Sequence, residues 1–460
     1  MSLLIKNGEI VTASERYIAD IFCEGETITR IDKHIAAPKG AEVIDAQGKF
    51  VFPGFIDPHV HIYLPFMGSS SKDNYVTGSR AALVGGTTTL IEMCCPARKD
   101  DALEGFELWM KQAAGKSACD FSFHMGVARF DEKTEKQLRE IVKRGISSFK
   151  IFLAYKGAFG VDDTELYRTL KLAKELGVIV TAHCENETLI TERSRELIAA
   201  GKTDPGQHHE SRPPAVEAEG VHHLMSFAEL TGAATYIVHL SCKEALDQAI
   251  AARQRGVRVT IETLIQYLTL DKTDAEKPNF EGAKYVMSPP LRDRRNQEVL
   301  WNGLRDGLIQ TVATDHAPFD FKGQKSMGKN DFTKIPNGIP SLEERIKLLY
   351  TYGVKTGKID LHTFVNAAST QVAKTFDLFP RKGTIQPGAD ADLVVFDPNY
   401  RGKISVKTQS MNLDYSAFEG WKVEGRPSEV TVRGQVAVRN GKFVGEHGHG
   451  KFLQRKPSHF

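Results

Sequence analysis

The sequence predicts an α/β protein: a (β/α)8 TIM barrel with a small β-sandwich domain built from both chain ends. Three observations carry this. Between residues 51 and 315, eight short apolar runs alternate with amphipathic stretches, as parallel strands joined by helices do. Residues 1–50 and those after 376 show strand patterns without helical ones. No GxGxxG turn follows any strand, which argues against an open doubly wound sheet.

Taken in order, Leu3-Leu-Ile is followed by Asn7-Gly, a hairpin signal. Asp20-Ile-Phe-Cys, Thr27-Ile-Thr-Arg-Ile and Glu42-Val-Ile then read as half-buried strands. Barrel strands are expected at 51–57, 87–93, 119–125, 147–152, 178–183, 234–239, 257–262 and 310–315. Helices are expected at 102–115, 133–143, 164–176, 216–231 and 242–255, several ending at a capping glycine: Gly145, Gly177, Gly232 and Gly256. Strand patterns return at Gly383-Thr-Ile, Asp392-Leu-Val-Val-Phe, Glu429-Val-Thr-Val and Gln435-Val-Ala-Val, and Asn440-Gly repeats the hairpin signal. Neither β-rich end has enough strands to be stable alone, so 1–52 and 376–445 are expected to pair around a barrel of 53–375. The polar, basic stretch 446–460, with His447, His449 and His459, reads as a mobile tail or an arm on a neighbouring subunit.

Composition narrows the function classes. With 460 residues, 41% hydrophobic and 26% charged, the chain has ample material for a large enzyme domain. A formal net charge of +2 gives no reason to expect nucleic acid or acidic membranes as partners. The six cysteines are dispersed with no CxxC pair, and neither a signal-peptide pattern nor a membrane-spanning run occurs, so a cytoplasmic protein with free thiols is expected.

Reactive groups in a barrel sit at the C-terminal strand ends. The first expected strand is followed by His59 and His61, two residues apart, so both rings can face one cation. The fifth ends in His183, the sixth in His239 and the eighth in Asp315, with His316 directly after. The fourth carries Lys150 between Phe149 and Ile151. A bare ammonium there is costly, so Lys150 needs a carboxylate partner or loses its proton. A neutral amine can take up carbon dioxide as an anionic carbamate able to bridge two cations. The carbamate is the favoured reading, because four neutral histidines would leave two divalent cations under-neutralised.

These residues resemble the binuclear amidohydrolase superfamily and, within it, the cyclic-amidase branch of D-hydantoinases and dihydropyrimidinases. The resemblance covers nearly the whole chain. It rests on Gly54-Phe-Ile-Asp-Pro-His-Val-His61, Phe149-Lys-Ile-Phe-Leu-Ala-Tyr-Lys156, Thr181-Ala-His-Cys-Glu-Asn186, Met287-Ser-Pro-Pro-Leu-Arg292, Ala313-Thr-Asp-His-Ala-Pro318 and the return strand Gly388-Ala-Asp-Ala-Asp-Leu-Val-Val-Phe396. The resemblance implies two divalent metals, zinc above all. One would be held by His59, His61 and Asp315, the other by His183 and His239, with carbamylated Lys150 (N6-carboxylysine) and a hydroxide bridging them. It implies substrate contacts from Tyr155, Ser288 and Asn337, the latter two largely through their backbone. The implied reaction opens 5-substituted hydantoins or dihydropyrimidines to N-carbamoyl amino acids. Asp315 would shuttle the proton, Tyr155 would stabilise the oxyanion, and the enzyme would be a homotetramer or homodimer.

The loops at 63–67, 94–98 and 155–159 are expected to border the pocket, with Leu64, Phe66, Phe152 and Phe159 as an apolar wall facing the ring substituent. Dihydroorotase or allantoinase activity is the alternative. Ile62-Tyr-Leu after the second histidine, where many dihydroorotases carry an arginine, argues for an apolar substituent. A non-catalytic scaffold of the same fold is disfavoured, since every ligand position is filled.

Overall fold

The computed structural model describes residues 2–459. Eight parallel strands form its centre in sequence order: Phe55–Val60, Thr87–Cys94, Asp120–Gly126, Ser148–Phe152, Ile179–His183, Thr235–Ile237, Val259–Leu264 and Thr311–Ala313. The last returns to the first where Val60 pairs with His316 and the His61 N–H donates to His316 O at 2.8 Å, nearly closing the barrel. Helices cover the outside, among them Ala102–Ala113, Glu132–Lys143, Asp163–Leu176, Pro214–Thr231 and Lys243–Gln254. Gly177 and Gly232 end theirs in the left-handed conformation, where a side chain would be strained.

Two expectations near the N-terminus are corrected. The run expected as one strand over 51–57 is two: Phe50–Pro53 pairs with Glu9 and Ile10 on one side and Leu393–Phe396 on the other, while Phe55–Val60 enters the barrel. Pro53 lacks an N–H to extend the first ladder, and a Cβ at Gly54 would lie 2.1 Å from Thr88 Oγ1, so the chain crosses between sheets there. Asn7-Gly8 is not a turn. Ser2–Val11 is one strand, and Asn7 (φ 61°) sits in a register shift between Ile5 and Gly8 against Arg16–Glu24. Asn440-Gly441 does turn a hairpin, between Gln435–Arg439 and Lys442–Phe443.

Both chain ends join one nine-stranded sheet, tied together where Phe50–Pro53 meets Leu393–Lys403. Ser2–Val11 pairs in parallel with Glu42–Asp45 over its first half and with Phe50–Pro53 over its second. Gly383-Thr-Ile, expected as a strand, is irregular, because Gly383 takes φ 79° against Ala373. The segment from 446 lies on its own barrel, correcting the mobile-tail or neighbour-arm expectation. Leu453 N–H donates to Phe121 O, Arg455 N–H to Gly145 O and His459 N–H to Gly177 O, all at the barrel end opposite the ligand residues. Leu453 and Arg455 are buried, and the Arg455 guanidinium reaches Ser122 and Ser148. Its polar, basic composition made this segment look solvated, but its few apolar and long side chains are spent on that seam.

Candidate functional site

The site is built by backbone reversals at strand ends. His59 is on the first barrel strand and His61 just beyond it; Lys150 is inside the fourth and His183 closes the fifth. His239 and Asp315 each lie two residues past their strands, with φ 42° and 48°. These left-handed residues turn the chain so that side chains which would follow the barrel wall face its mouth; His and Asp tolerate this conformation better than most. Tyr155 is a third, with φ 62°. The Glu187 carboxylate accepts its N–H at 2.6 Å, and the N–H groups of Ala158, Phe159 and Gly160 all reach its carbonyl.

Ligand-type atoms converge on two points. Asp315 Oδ1 lies 3.1 Å from both His59 Nε2 and His61 Nε2, and one donor atom from each residue falls within 4.8 Å of the others. His183 Nδ1 lies 2.9 Å from His239 Nε2. The ring centroids of His59 and His239 are 5.3 Å apart, so the two sets adjoin. Lys150 is 0% exposed, its Nζ lacks a hydrogen-bond partner, and no carboxylate lies within 4.0 Å of it among the described residues. The ion pair that would satisfy a buried lysine is therefore missing, and its Nζ sits 4.6 Å from the Phe152 ring centroid instead.

The electrostatics favour the ligand forms. Burial lowers His61, His183 and Lys150, and holds His239 well below the usual imidazole range, which favours their uncharged, metal-binding forms. Burial alone would raise Asp315, but His59 and His61 outweigh it and keep the carboxylate ionised. For His59, burial pulls downward while Asp315 and Glu262 pull harder upward, to about 9. A buried proton held there among carboxylates is what a cation would displace. The orphaned His59 Nε2 and Lys150 Nζ, with nitrogen and oxygen donors on both sides, fit a pair of divalent metals.

Hydrogen-bonded carboxylates behind the ligands were not anticipated from the sequence. Glu262, on the seventh strand, accepts His59 Nδ1–H at 2.7 Å and the His239 N–H at 2.9 Å on one oxygen, and Tyr236 OH at 2.8 Å on the other. Glu185 accepts His183 Nε2–H at 2.9 Å and Arg212 at 2.6 Å. Each carboxylate fixes which ring nitrogen carries the proton and leaves the other for a metal. His316 pairs with Asp73 at 3.0 Å, anchoring the loop after the first strand rather than adding a ligand.

A cavity opens above the ligand candidates. The lining includes every residue singled out from the sequence: the six ligand candidates, Tyr155, Ser288 and Asn337, and the wall of Leu64, Phe66, Phe152 and Phe159. Ala317 and Gly338 complete it. Asn337 Nδ2 donates to Ser288 Oγ at 2.9 Å and lies 3.4 Å from Tyr155 OH. Phe66 reaches the wall on a small hairpin, Pro65–Phe66 against Ser69–Ser70, whose turn residues Met67 and Gly68 both have positive φ. The ring centroid of Phe159 lies 5.7 Å from that of Phe152 and 6.1 Å from that of Phe66. The 94–98 loop, expected at the pocket edge, does not line it. Arg98 is drawn outward to the Glu165 carboxylate and the carbonyls of Ala128 and Gly160.

Fold and site together define a barrel whose C-terminal mouth carries a metal-binding donor set beneath an apolar-walled cavity. The chain belongs to the amidohydrolase family, whose model matches residues 50–437. It is 47% identical over 456 residues to the D-hydantoinase of Geobacillus stearothermophilus, covering 99% of this chain and 97% of that one. Among solved structures, a D-hydantoinase (dihydropyrimidinase) from Thermus sp. superposes with a TM-score of 0.98 at 65% identity over 100% of both chains. A dihydropyrimidinase from Brevibacillus agri does so at 0.97 and 45%, over 99% of each. None of the helices in the described residues is long and apolar enough to cross a membrane.

Proposed function

We propose that this protein hydrolyses cyclic amides, opening 5-substituted hydantoins and dihydropyrimidines to N-carbamoyl amino acids. The supporting observation is the meeting, in one cavity, of the metal-donor set, the Tyr155 phenol, the Ser288 and Asn337 segments and an aromatic wall. His59, His61 and Asp315 would hold one divalent ion and His183 and His239 the other, zinc in each case. Lys150 would bridge them as a carbamate, formed when its amine adds to carbon dioxide and releases one proton. When bound, the ions supply ionised water at neutral pH and a Lewis acid for the carbonyl.

The chain's own residues do the rest. Ser288 and Asn337 present backbone groups to the ring's amide edges. Tyr155, whose phenol burial keeps protonated, donates O–H to the developing oxyanion. Asp315 takes the proton from the attacking water and hands it to the leaving ring nitrogen. Leu64, Phe66, Phe152 and Phe159 exclude water and contact the ring substituent. No arginine lines the cavity among the described residues, which disfavours rings bearing a carboxylate. The barrel of 53–375 would be the catalytic unit, and the enzyme a cytoplasmic homotetramer or homodimer. Six buried free cysteines suit a reducing compartment. The test is a steady-state comparison of dihydrouracil, 5-substituted hydantoin enantiomers, dihydroorotate and allantoin on metal-replete enzyme. Turnover confined to the last two would overturn the reading.

A further inference from the structure

We propose that Lys325 is a positioning residue for the cyclic amide: its amine ties together the two backbone segments that carry Ser288 and Asn337, and so sets how tightly the ring is held. The inference rests on the reading above that those segments grip the ring.

Lys325 begins a short 3-10 turn, Lys325–Gly328, in the long loop after the eighth barrel strand, and is 0% exposed. Its Nζ donates to Val286 O and to Pro336 O, both at 3.0 Å. Val286 lies two residues before Ser288, and Pro336 directly precedes Asn337. The Gly338 N–H donates to the same Val286 carbonyl at 2.9 Å. One amine thus joins loops from two successive barrel units at the point where both enter the cavity.

The surroundings make packing alone a poor explanation. Val286, Phe332 and Ile335 belong to the buried apolar cluster here, where leucine or methionine would serve packing better. No carboxylate lies within 4.0 Å of Nζ among the described residues. An ammonium would bring three N–H donors and an uncompensated charge to two acceptors, whereas a neutral amine has two N–H donors for two carbonyls. Burial lowers Lys325 to about 7, in keeping with that count. The nearby titratable group is His208, which burial and then Arg212 hold down to about 3. As a neutral ring it donates Nε2–H to Met287 O at 2.8 Å, with Ser288 Oγ 3.2 Å away. Tyr267 OH donates to Pro289 O at 2.6 Å. The 286–289 stretch is therefore held from three sides, and Lys325 ties it to 336–338 alongside the Asn337–Ser288 side-chain bond and the Gly338 N–H.

The test uses Lys325→Met and Lys325→Gln enzymes purified with their metals, assayed on dihydrouracil and a 5-substituted hydantoin alongside metal content and thermal midpoint. The expected result for Lys325→Met is a KM raised about tenfold or more, kcat within about threefold, and unchanged metal content. Lys325→Gln keeps two N–H donors on a shorter arm and falls between. An unchanged KM, whatever happens to stability, overturns the proposal, as does an equal fall in kcat and kcat/KM. If Lys325→Met does not fold, Lys325→Gln decides on the same criteria. Wild-type enzyme gives an independent readout by hydrogen–deuterium exchange with N-carbamoyl amino acid bound. Peptides spanning 286–290 and 334–340 should gain protection together, and protection of one alone counts against the link. Wild-type protein that opens neither ring overturns the functional reading itself. Active wild type with unaltered KM in the variants overturns only the role of Lys325.

Discussion

Glu262→Gln separates the metal-tuning part of this site from its scaffold. Glutamine is isosteric, and the local bonding accommodates one of its two amide N–H groups. With the amide oxygen in the Oε1 position, His59 Nδ1–H and the His239 N–H keep their acceptor. The new amide N–H₂ then faces Tyr236 OH, which can turn its proton to Thr311 Oγ1, 2.7 Å away. The second amide N–H finds no acceptor among the bonding partners of Glu262, so the folding cost should be about 1–3 kcal/mol. The charge is what disappears. The bond to His59 changes from charge-assisted to neutral, a loss of about 1–1.5 kcal/mol, and the ring becomes a poorer donor. Partners of this kind are worth about 10–100-fold in metal affinity. The assay is chelator competition at fixed free zinc, with bound metal counted by mass spectrometry and folding followed by circular dichroism. Chelator resistance within twofold of wild type, in folded protein, would refute the claim that Glu262 sets the donor strength of His59.

Three further substitutions probe other links. Lys150→Ala should drop bound metal below two ions per chain and activity by about 100-fold or more, and reloading of chelated wild type should depend on bicarbonate; full metal and activity in the variant would exclude the carbamate. Phe159→Ala should lower kcat/KM for aryl-substituted hydantoins by about 10–100-fold while leaving dihydrouracil within about threefold, since only the larger substituent reaches the wall; equal losses on both would make Phe159 a structural plug. Glu92→Gln addresses pH. Burial raises the Glu92 carboxyl from 4.5 to about 8. The folded state therefore binds a proton that the unfolded state has released, and stability is fully present below pH 4.5 and lost as pH rises through 8. Stability, followed by melting temperature, should fall less between pH 6 and 9 in Glu92→Gln than in wild type, by about 3 kcal/mol at most; parallel curves would count against it.

Elements with a repeating side-chain pattern were legible, because periodicity is a local property. The alternation of buried strands and amphipathic helices located all eight barrel strands within a few residues, and the ligand candidates with them, since strand ends are where a barrel places its chemistry. Legibility failed where the deciding contact is distant in sequence. Asn7-Gly8 and Asn440-Gly441 carry the same hairpin signal, and both asparagines adopt the left-handed conformation. Only the second turns the chain; around the first, Arg16–Glu24 and Phe50–Pro53 hold the strand straight and absorb the kink as a bulge. Lys150 and Glu262 make a similar pair. Both are ionisable residues on buried strands, but Lys150 is flanked by Phe149 and Ile151 and stands out. Glu262 is followed by Thr263 in Val259-Thr-Ile-Glu-Thr-Leu264, which reads as ordinary alternation, and its partner His59 lies 203 residues away. The terminal segment hid for the same reason: Arg455 meets Ser122 and Ser148 only after the barrel exists.

The cavity divides into a floor and a wall that answer to different parts of the chain. The floor consists of ligand candidates at and just past strand ends, backed by Glu262 and Glu185, so its geometry follows the barrel. Apart from Phe152, which ends the fourth strand, the wall and the ring platform are loop-borne: the Pro65–Ser70 hairpin, Phe159, and the segments joined through Lys325. Glu262 bonds to His59 and His239 and Lys325 to the ring platform, so changes at Glu262 should move metal affinity and changes at Phe159 or Lys325 should move substrate affinity. Tyr155 is where the two parts meet. Its ring lies 5.3 Å from that of His183 on the floor, its hydroxyl lies 3.4 Å from Asn337 on the platform, and its backbone is held at φ 62° by the Glu187 carboxylate. A displacement of the 155–159 loop would therefore move the proposed oxyanion donor relative to the proposed ligands, so on that reading Tyr155 is the position at which substrate fit is converted into rate.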